Sequence, residues 1–330
     1  MGGVEWTLLP MLGPLHLTQP RYNAVTLREI ARALAPDAIL LASHSSEGLA
    51  EGAWRDAEEL ALWHLLPWAE REGVRVEAVG EDAEALRGEG ERFREYLAQT
   101  EKGRQYLAKE AEWRAPVEAL FSRPLTPADW GRSETLGVLE GYLDAVRRGF
   151  GEGPATGFRA LRMERVAARL AALPEGRYLV LAELFDYPEL LKRLPGAKPP
   201  PDHVPTEAER ERALLDRAWQ LSEDDDFAQL LAQLQGIGTP EAAYLAAQVY
   251  LAAGETASAL YLLEEAAKGD FHEPGYLPGY LLARLGQLRD LVGDREGAIR
   301  AYRGVLALSW APKEARDIAR AGMKTPFRVG

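Results

Sequence analysis

Apolar positions in the first part of the chain come in short runs separated by amphipathic stretches. Val4 to Leu12 reads as a strand. Residues 23–34 put Leu27, Ile30, Ala31 and Leu34 on one helical face. Ala38 to Ala42 is continuously apolar, which suits a strand covered on both faces of a parallel sheet. Residues 54–71 read as one helix carrying Trp54, Leu60, Trp63, Leu66 and Trp68, with Pro67 expected to kink it or end its regular part. Val74 to Val79 is a third strand. Strand and helix alternate with short connections, which predicts a parallel sheet with right-handed crossovers.

The pattern changes beyond Asp82. Residues 83–121 are helical and heavily charged. Thr126-Pro127 starts a further helical segment, with proline at its first position. Residues 133–149 and 158–172 are helical, and Tyr178 to Ala182 is a fourth strand. The stretch between strands three and four is too long for a simple crossover, so residues 83–150 form an inserted helical layer. Pro195, Pro199, Pro200, Pro201 and Pro205 mark residues 196–206 as a stiff linker. Thr206 with Glu209 then reads as a capping box. The expected fold is α/β: a mostly parallel four-stranded sheet with a helical insertion over 1–195, followed by an all-α domain over 207–330.

Within the all-α part, two segments are alike. Tyr250, Gly254, Ala259, Leu263 and Ala266 have counterparts in Leu285, Gly286, Gly293, Ala298 and Tyr302. In each, a small residue follows the turn glycine by five positions. This resembles the tetratricopeptide pattern, in which a glycine turn joins two packed helices. The offset from Gly254 to Gly293 is 39 residues, against a usual ~34, because Gly269 to Gly279 adds a loop. Residues 208–235 form a third, degenerate hairpin, and stacked hairpins build extended binding surfaces.

Composition narrows the choices. The chain has 330 residues, more than one core sustains, so two domains are expected. It has no cysteine, hence no disulfide, thiolate metal site or cysteine nucleophile. Met1 to Glu5 lacks a basic-then-apolar start, and no apolar run is long enough to span a bilayer. A cytoplasmic protein is expected, with no membrane association. Arginine well above lysine hints at a thermophile. The net charge of −12 argues against binding a phosphate backbone, so no nucleic acid is expected. Residues 206–273 are acidic, densest at Asp224-Asp225-Asp226, whereas 284–328 are basic. Arg284, Arg289, Arg300 and Arg303 are therefore the candidate contacts for a protein partner with an acidic segment, unless these charges only solvate outer faces.

Ligands of parallel α/β sheets bind outside the strand carboxyl ends. Those ends carry His16; Ser43, His44 and Glu47; Glu81 and Asp82; and Glu183 and Asp186. Nitrogen and oxygen donors of this kind suit a divalent metal, with His16, His44, Glu47 and Asp82 as ligands, or general acid–base work. Turns after strands are polar in any case, and that reading stands beside the chemical one. His64 reads as a packing residue among Trp63, Leu65 and Trp68. His203 and His272 have no partner apparent in the sequence. No phosphate loop, nucleophile elbow or HExxH motif is present.

Leu12-Gly13-Pro14-Leu15-His16, a helix, and then Pro36-Asp37 before an apolar strand resemble the start of the TraB/GumN, ChaN and erythromycin-esterase-like superfamily. Arg159 to Leu170 resembles that superfamily's arginine-containing helix. The resemblance covers residues 1–195. It implies His16 as a catalytic or ligating histidine, Arg162 as a site arginine and, through ChaN, a haem- or iron-binding alternative. The second Gly-x-x-His of the family reads Ala182-Glu183-Leu184-Phe185, with Phe185 in the histidine's place; a rebuilt site would draw on Glu183. Ser43 stands where the family often has glutamate. The preferred expectation is an interaction or scaffold protein with a degenerate α/β site. The alternative is a metal-dependent or His/Glu-assisted hydrolase using His16, Arg162 and Glu183.

Overall fold

The computed structural model describes residues 3–56, 59–81 and 83–328. The chain divides into two compact units, Met1–Glu209 and Arg210–Gly330.

The first unit is built on four parallel strands: β1 (Val4–Met11), β2 (Ala38–Leu41), β3 (Val76–Ala78) and β4 (Gly176–Glu183). Their order is β1-β4-β2-β3, so the last strand enters between the first two. Side chains alternate across the sheet. Trp6, Leu8, Ala38, Leu40, Tyr178, Val180 and Ala182 share one core face with Met163, Val166, Leu170, Tyr187 and Leu190. Leu9, Met11, Ile39, Leu41, Leu179 and Leu181 point the other way and are buried as well. Burial on both faces explains the unbroken apolar runs.

Helices α1 (Thr26–Leu34), α2 (Ser46–Glu51) and α3 (Leu60–Glu72) belong to the first crossovers. The single helix expected over 54–71 is thus shorter, and a separate helix precedes it. Gly52, at φ 76°, ends α2 in the left-handed conformation that glycine adopts at low cost. Helix α3 continues through Pro67. The insertion comprises α4 (Ala83–Ala98), α5 (Glu101–Phe121) and α6 (Ser133–Phe150). Between the last two, Asp129 accepts from both the backbone and the hydroxyl of Thr126, each at 2.7 Å, and so caps the turn over Pro127–Gly131. Helices α7 (Arg159–Ala171) and α8 (Tyr187–Arg193) flank β4 in sequence.

The proline-rich stretch is packed rather than free. The Lys198 amide donates to the Trp6 carbonyl at 2.8 Å, and the Leu8 amide donates to the Lys198 carbonyl at 3.0 Å. Lys198 therefore extends the sheet beside β1. Prolines lack the donor a ladder needs, and Lys198 is the residue that supplies it. Gly131 backs against Pro199, where a Cβ on the glycine would stand 2.4 Å from the proline ring. The boundary between units consequently falls after Glu209 rather than over 196–206. The Thr206–Glu209 capping box forms, and His203 adds a 2.7 Å contact to the same Glu209 carboxylate.

The second unit is helical. Helix α9 (Glu207–Trp219) leads into it, followed by α10 (Phe227–Ile237), α11 (Pro240–Ala252), α12 (Thr256–Ala266), α13 (Leu277–Leu291), α14 (Arg295–Ala307) and α15 (Lys313–Lys324). Gly254 and Gly293 turn α11 into α12 and α13 into α14 at φ 81° and 83°. Ala259 and Ala298 are fully buried at matching places, where a small side chain lets helices approach. Tyr302 is wedged between Gly286 and Gly322, and its hydroxyl donates to Asp290 at 2.9 Å. Among the described residues no helix is long and apolar enough to cross a membrane.

Candidate functional site

His16 lies in a short turn over Gly13–Thr18 that begins with Gly13 at φ 57°. Its ring is fully buried. Nε2 accepts the Leu12 amide at 3.1 Å, and Nδ1 donates to the Tyr22 carbonyl at 2.8 Å. An amide can only donate and a carbonyl only accept, so the neutral tautomer with the proton on Nδ1 is required. Burial pushes the pKa down to about 4, against the smaller opposing pull of the Tyr22 carbonyl. Tyr22 completes the clamp by donating its hydroxyl to the Pro10 carbonyl at 2.7 Å. The expectation of His16 as ligand or base is thereby corrected: both ring nitrogens are spent on the backbone, and His16 holds the turn together.

Among the described residues the metal set does not assemble. His44 is buried, whereas Glu47 is exposed in the first turn of α2. The α2 cap is Ser45, whose hydroxyl accepts from Gly48 at 2.9 Å. Asp82 lies outside the described residues. Among the described residues no three His, Asp or Glu side chains converge on a point that would hold a metal ion.

A different constellation occupies the strand ends. Arg162 grips Asp186 with two hydrogen bonds of 3.0 and 2.9 Å, and both side chains are about 95% buried or more. Bidentate pairing of this kind adds geometric definition to charge attraction. The Arg162 Nε donates to the Gly157 carbonyl at 2.9 Å. Arg159 adds a 3.2 Å contact to the same carboxylate. Ser43, at the end of β2, donates its hydroxyl to Asp186 at 3.0 Å and accepts the Glu183 amide at 2.9 Å. The sheet order makes this possible, because β4 lies directly beside β2. Asp186 follows β4 by three residues, and α7 supplies the arginines one helical turn apart.

Above this network is a cavity of about 580 Å³, lined by Leu15, Tyr142, Gly157, Glu183 and Phe185 together with residues of α4 and α5. Its far wall repeats the arrangement. Glu110 receives Arg94 at 2.6 Å and Arg114 at 3.3 Å, with the Tyr142 hydroxyl at 3.4 Å. Burial pushes the Glu110 carboxyl up, but Arg94 and then Arg114 outweigh it and hold its pKa below the usual value. Of the sequence candidates, Arg162, Glu183 and Asp186 line this cavity. In the sequence Asp186 reads only as one of several polar strand ends. Arg94, Arg114 and Arg159 were not anticipated: in a chain rich in exposed ion pairs, nothing distinguishes them until the helices pack.

The second unit has a cavity of its own, about 540 Å³, lined by Trp219, Tyr244, Tyr280, Arg284, Gln287 and Glu314 among others. Arg284 donates to Gln287 at 2.9 Å. Trp219 is set by its indole N–H, which donates to buried Glu241 at 2.7 Å. Glu241 also takes two bonds from Arg212 and one from the Tyr276 hydroxyl. The other candidate arginines differ. Arg289 is held by Glu264 at 3.1 Å and by the Gly297 carbonyl at 3.3 Å, so the structure gives it a role inside the fold. Arg300 and Arg303 are exposed on α14. The chain matches no family model, no curated protein and no solved structure.

Proposed function

We propose that this chain is an interaction protein, and that its second unit receives an acidic segment of a protein partner. The observation that carries this reading is Arg284, placed in a cavity among the rings of Trp219, Tyr244 and Tyr280. One cation beside aromatic walls suits a peptide that offers a carboxylate next to an apolar or aromatic side chain. The hairpins of α11–α12 and α13–α14, joined at Gly254 and Gly293, support the tetratricopeptide-like part of the reading. In the first unit, side chains that would do chemistry are engaged within the fold: His16 with backbone, Arg162 with Asp186. This favours a degenerate site over a hydrolase.

The test is a fluorescence-anisotropy panel of acidic peptides with and without interleaved aromatic residues, plus basic counterparts. The intact chain should select acidic aromatic peptides, and Arg284→Glu should abolish that selection while His16→Gln preserves it. Equal binding of acidic and basic peptides, or selection untouched by Arg284→Glu, would overturn the proposal.

A further inference from the structure

We infer that the cavity over the strand ends of the first unit binds a small organic oxyanion, a carboxylate or phosphate carried on an apolar body. This site is separate from the peptide cavity proposed above and does not depend on it.

Charge balance comes first. On one wall a single carboxylate, Asp186, takes both Arg159 and Arg162. On the other, Glu110 takes both Arg94 and Arg114. Each of these buried carboxylates thus serves two guanidiniums, more donors than one anion saturates, while Glu91 acts on Arg94 from the exposed rim. Cations so placed are stabilised by a further anion.

Free donors come second. Arg159 reaches Asp186 through Nε, its two terminal nitrogens make no further bond among the described residues, and its side chain is only 17% exposed. Arg94 uses Nε and Nη2 on Glu110, and among the described residues its Nη1 makes no hydrogen bond. Arg114 meets Glu110 through Nη2 and has the Tyr142 hydroxyl as a second partner. Guanidinium forks with spare N–H groups are the donors that carboxylates and phosphates accept from best. Helix α7 begins at Arg159 on the same wall, so the positive end of its dipole adds to the field.

The carboxylates that line the cavity define where the anion sits. Glu91 and Glu118 are exposed, and water screens them. Glu183 stands at the end of β4, so the bound anion lies toward Arg159 and Arg94 rather than against the strand. Phe121, Tyr142, Phe185 and Val117 supply the apolar surface for the rest of the ligand. Arg159 lies 6.0 Å from the Phe185 ring centre, which holds its guanidinium at the wall. The volume of about 580 Å³ falls in the range of small-molecule sites.

The experiment is calorimetric titration of the full chain with phenyl phosphate, benzoate, inorganic phosphate and benzylamine. At least one of the two aromatic anions should bind saturably, more tightly than inorganic phosphate, and benzylamine should not bind. A preference for phenyl phosphate would identify a phosphate ester, and a preference for benzoate a carboxylate. Arg159→Gln leaves the Arg162–Asp186 pair intact and Arg114→Gln leaves Arg94–Glu110 intact. Each should weaken binding roughly tenfold, the loss of one charge-assisted contact. Should these variants fail to fold, the salt dependence of the unmodified chain decides: affinity must fall as sodium chloride rises. Absence of saturable binding by both aromatic anions, affinity unchanged in the variants, or salt-independent binding would overturn the proposal.

Discussion

Replacing His16 by glutamine separates a structural histidine from a chemical one. Glutamine carries an acceptor and a donor, so it keeps the chance of bonding the Leu12 amide and the Tyr22 carbonyl, but it does not titrate. At pH 7.5 the variant should lose about 1–2 kcal/mol, the result of poorer hydrogen-bond geometry at two buried backbone groups. The pH dependence is the sharper quantity. Burial lowers the histidine pKa from 6.5 to about 4, so between those values the unfolded chain binds the proton and the folded chain does not. Stability supplied by the neutral ring is complete above pH 6.5 and declines as pH falls toward 4. At 1.36 kcal/mol per pH unit, the loss at pH 4.5 is about 2.5 kcal/mol. The glutamine variant is spared that loss, so its deficit at pH 7.5 should vanish or reverse at pH 4.5. Urea unfolding followed by tryptophan fluorescence reads this well, because six of the eight tryptophans lie in the first unit. Taking the difference between the two proteins cancels every other titrating group. A gap that stays constant from pH 7.5 to 4.5 would show that His16 is not held neutral by burial.

Two further outcomes test the networks. Asp186→Asn strips buried Arg162 of its counter-charge and should cost about 3–5 kcal/mol, whereas Ser43→Ala removes neutral bonds and should cost about 1–2 kcal/mol. Equal melting temperatures for the two variants would refute the charge argument. In the second unit, Gly286→Ala places a Cβ 2.4 Å from the Tyr302 ring, and overpacking of that kind costs about 1–3 kcal/mol. Hydrogen exchange should quicken in α13 to α15 while the β-strand amides keep their protection; unchanged exchange in those helices would refute the close packing.

The strand–helix alternation, the sheet's parallel sense and the helical nature of the later chain were all legible in the sequence, because each rests on local periodicity. An apolar run such as Ala38 to Leu41 has to be covered on both faces, and Gly254 and Gly293 have to turn the chain. Local pattern also located the strand ends where polar groups gather. It could not assign their partners. His16 reads identically in sequence whether its nitrogens face a ligand or the backbone. Only the turn that brings Leu12 and Tyr22 to its ring decides the matter. The proline-rich stretch reads as a linker because its prolines lack donors, yet one lysine among them is enough to join it to β1. The sharing of Asp186 by Ser43, Arg159 and Arg162 depends on β4 entering between β1 and β2. Strand order follows from which faces must be buried together across more than a hundred residues. That long-range condition leaves no mark in local periodicity, so the elements of this protein were readable from its sequence, whereas the partners of its charged groups were decided by tertiary packing.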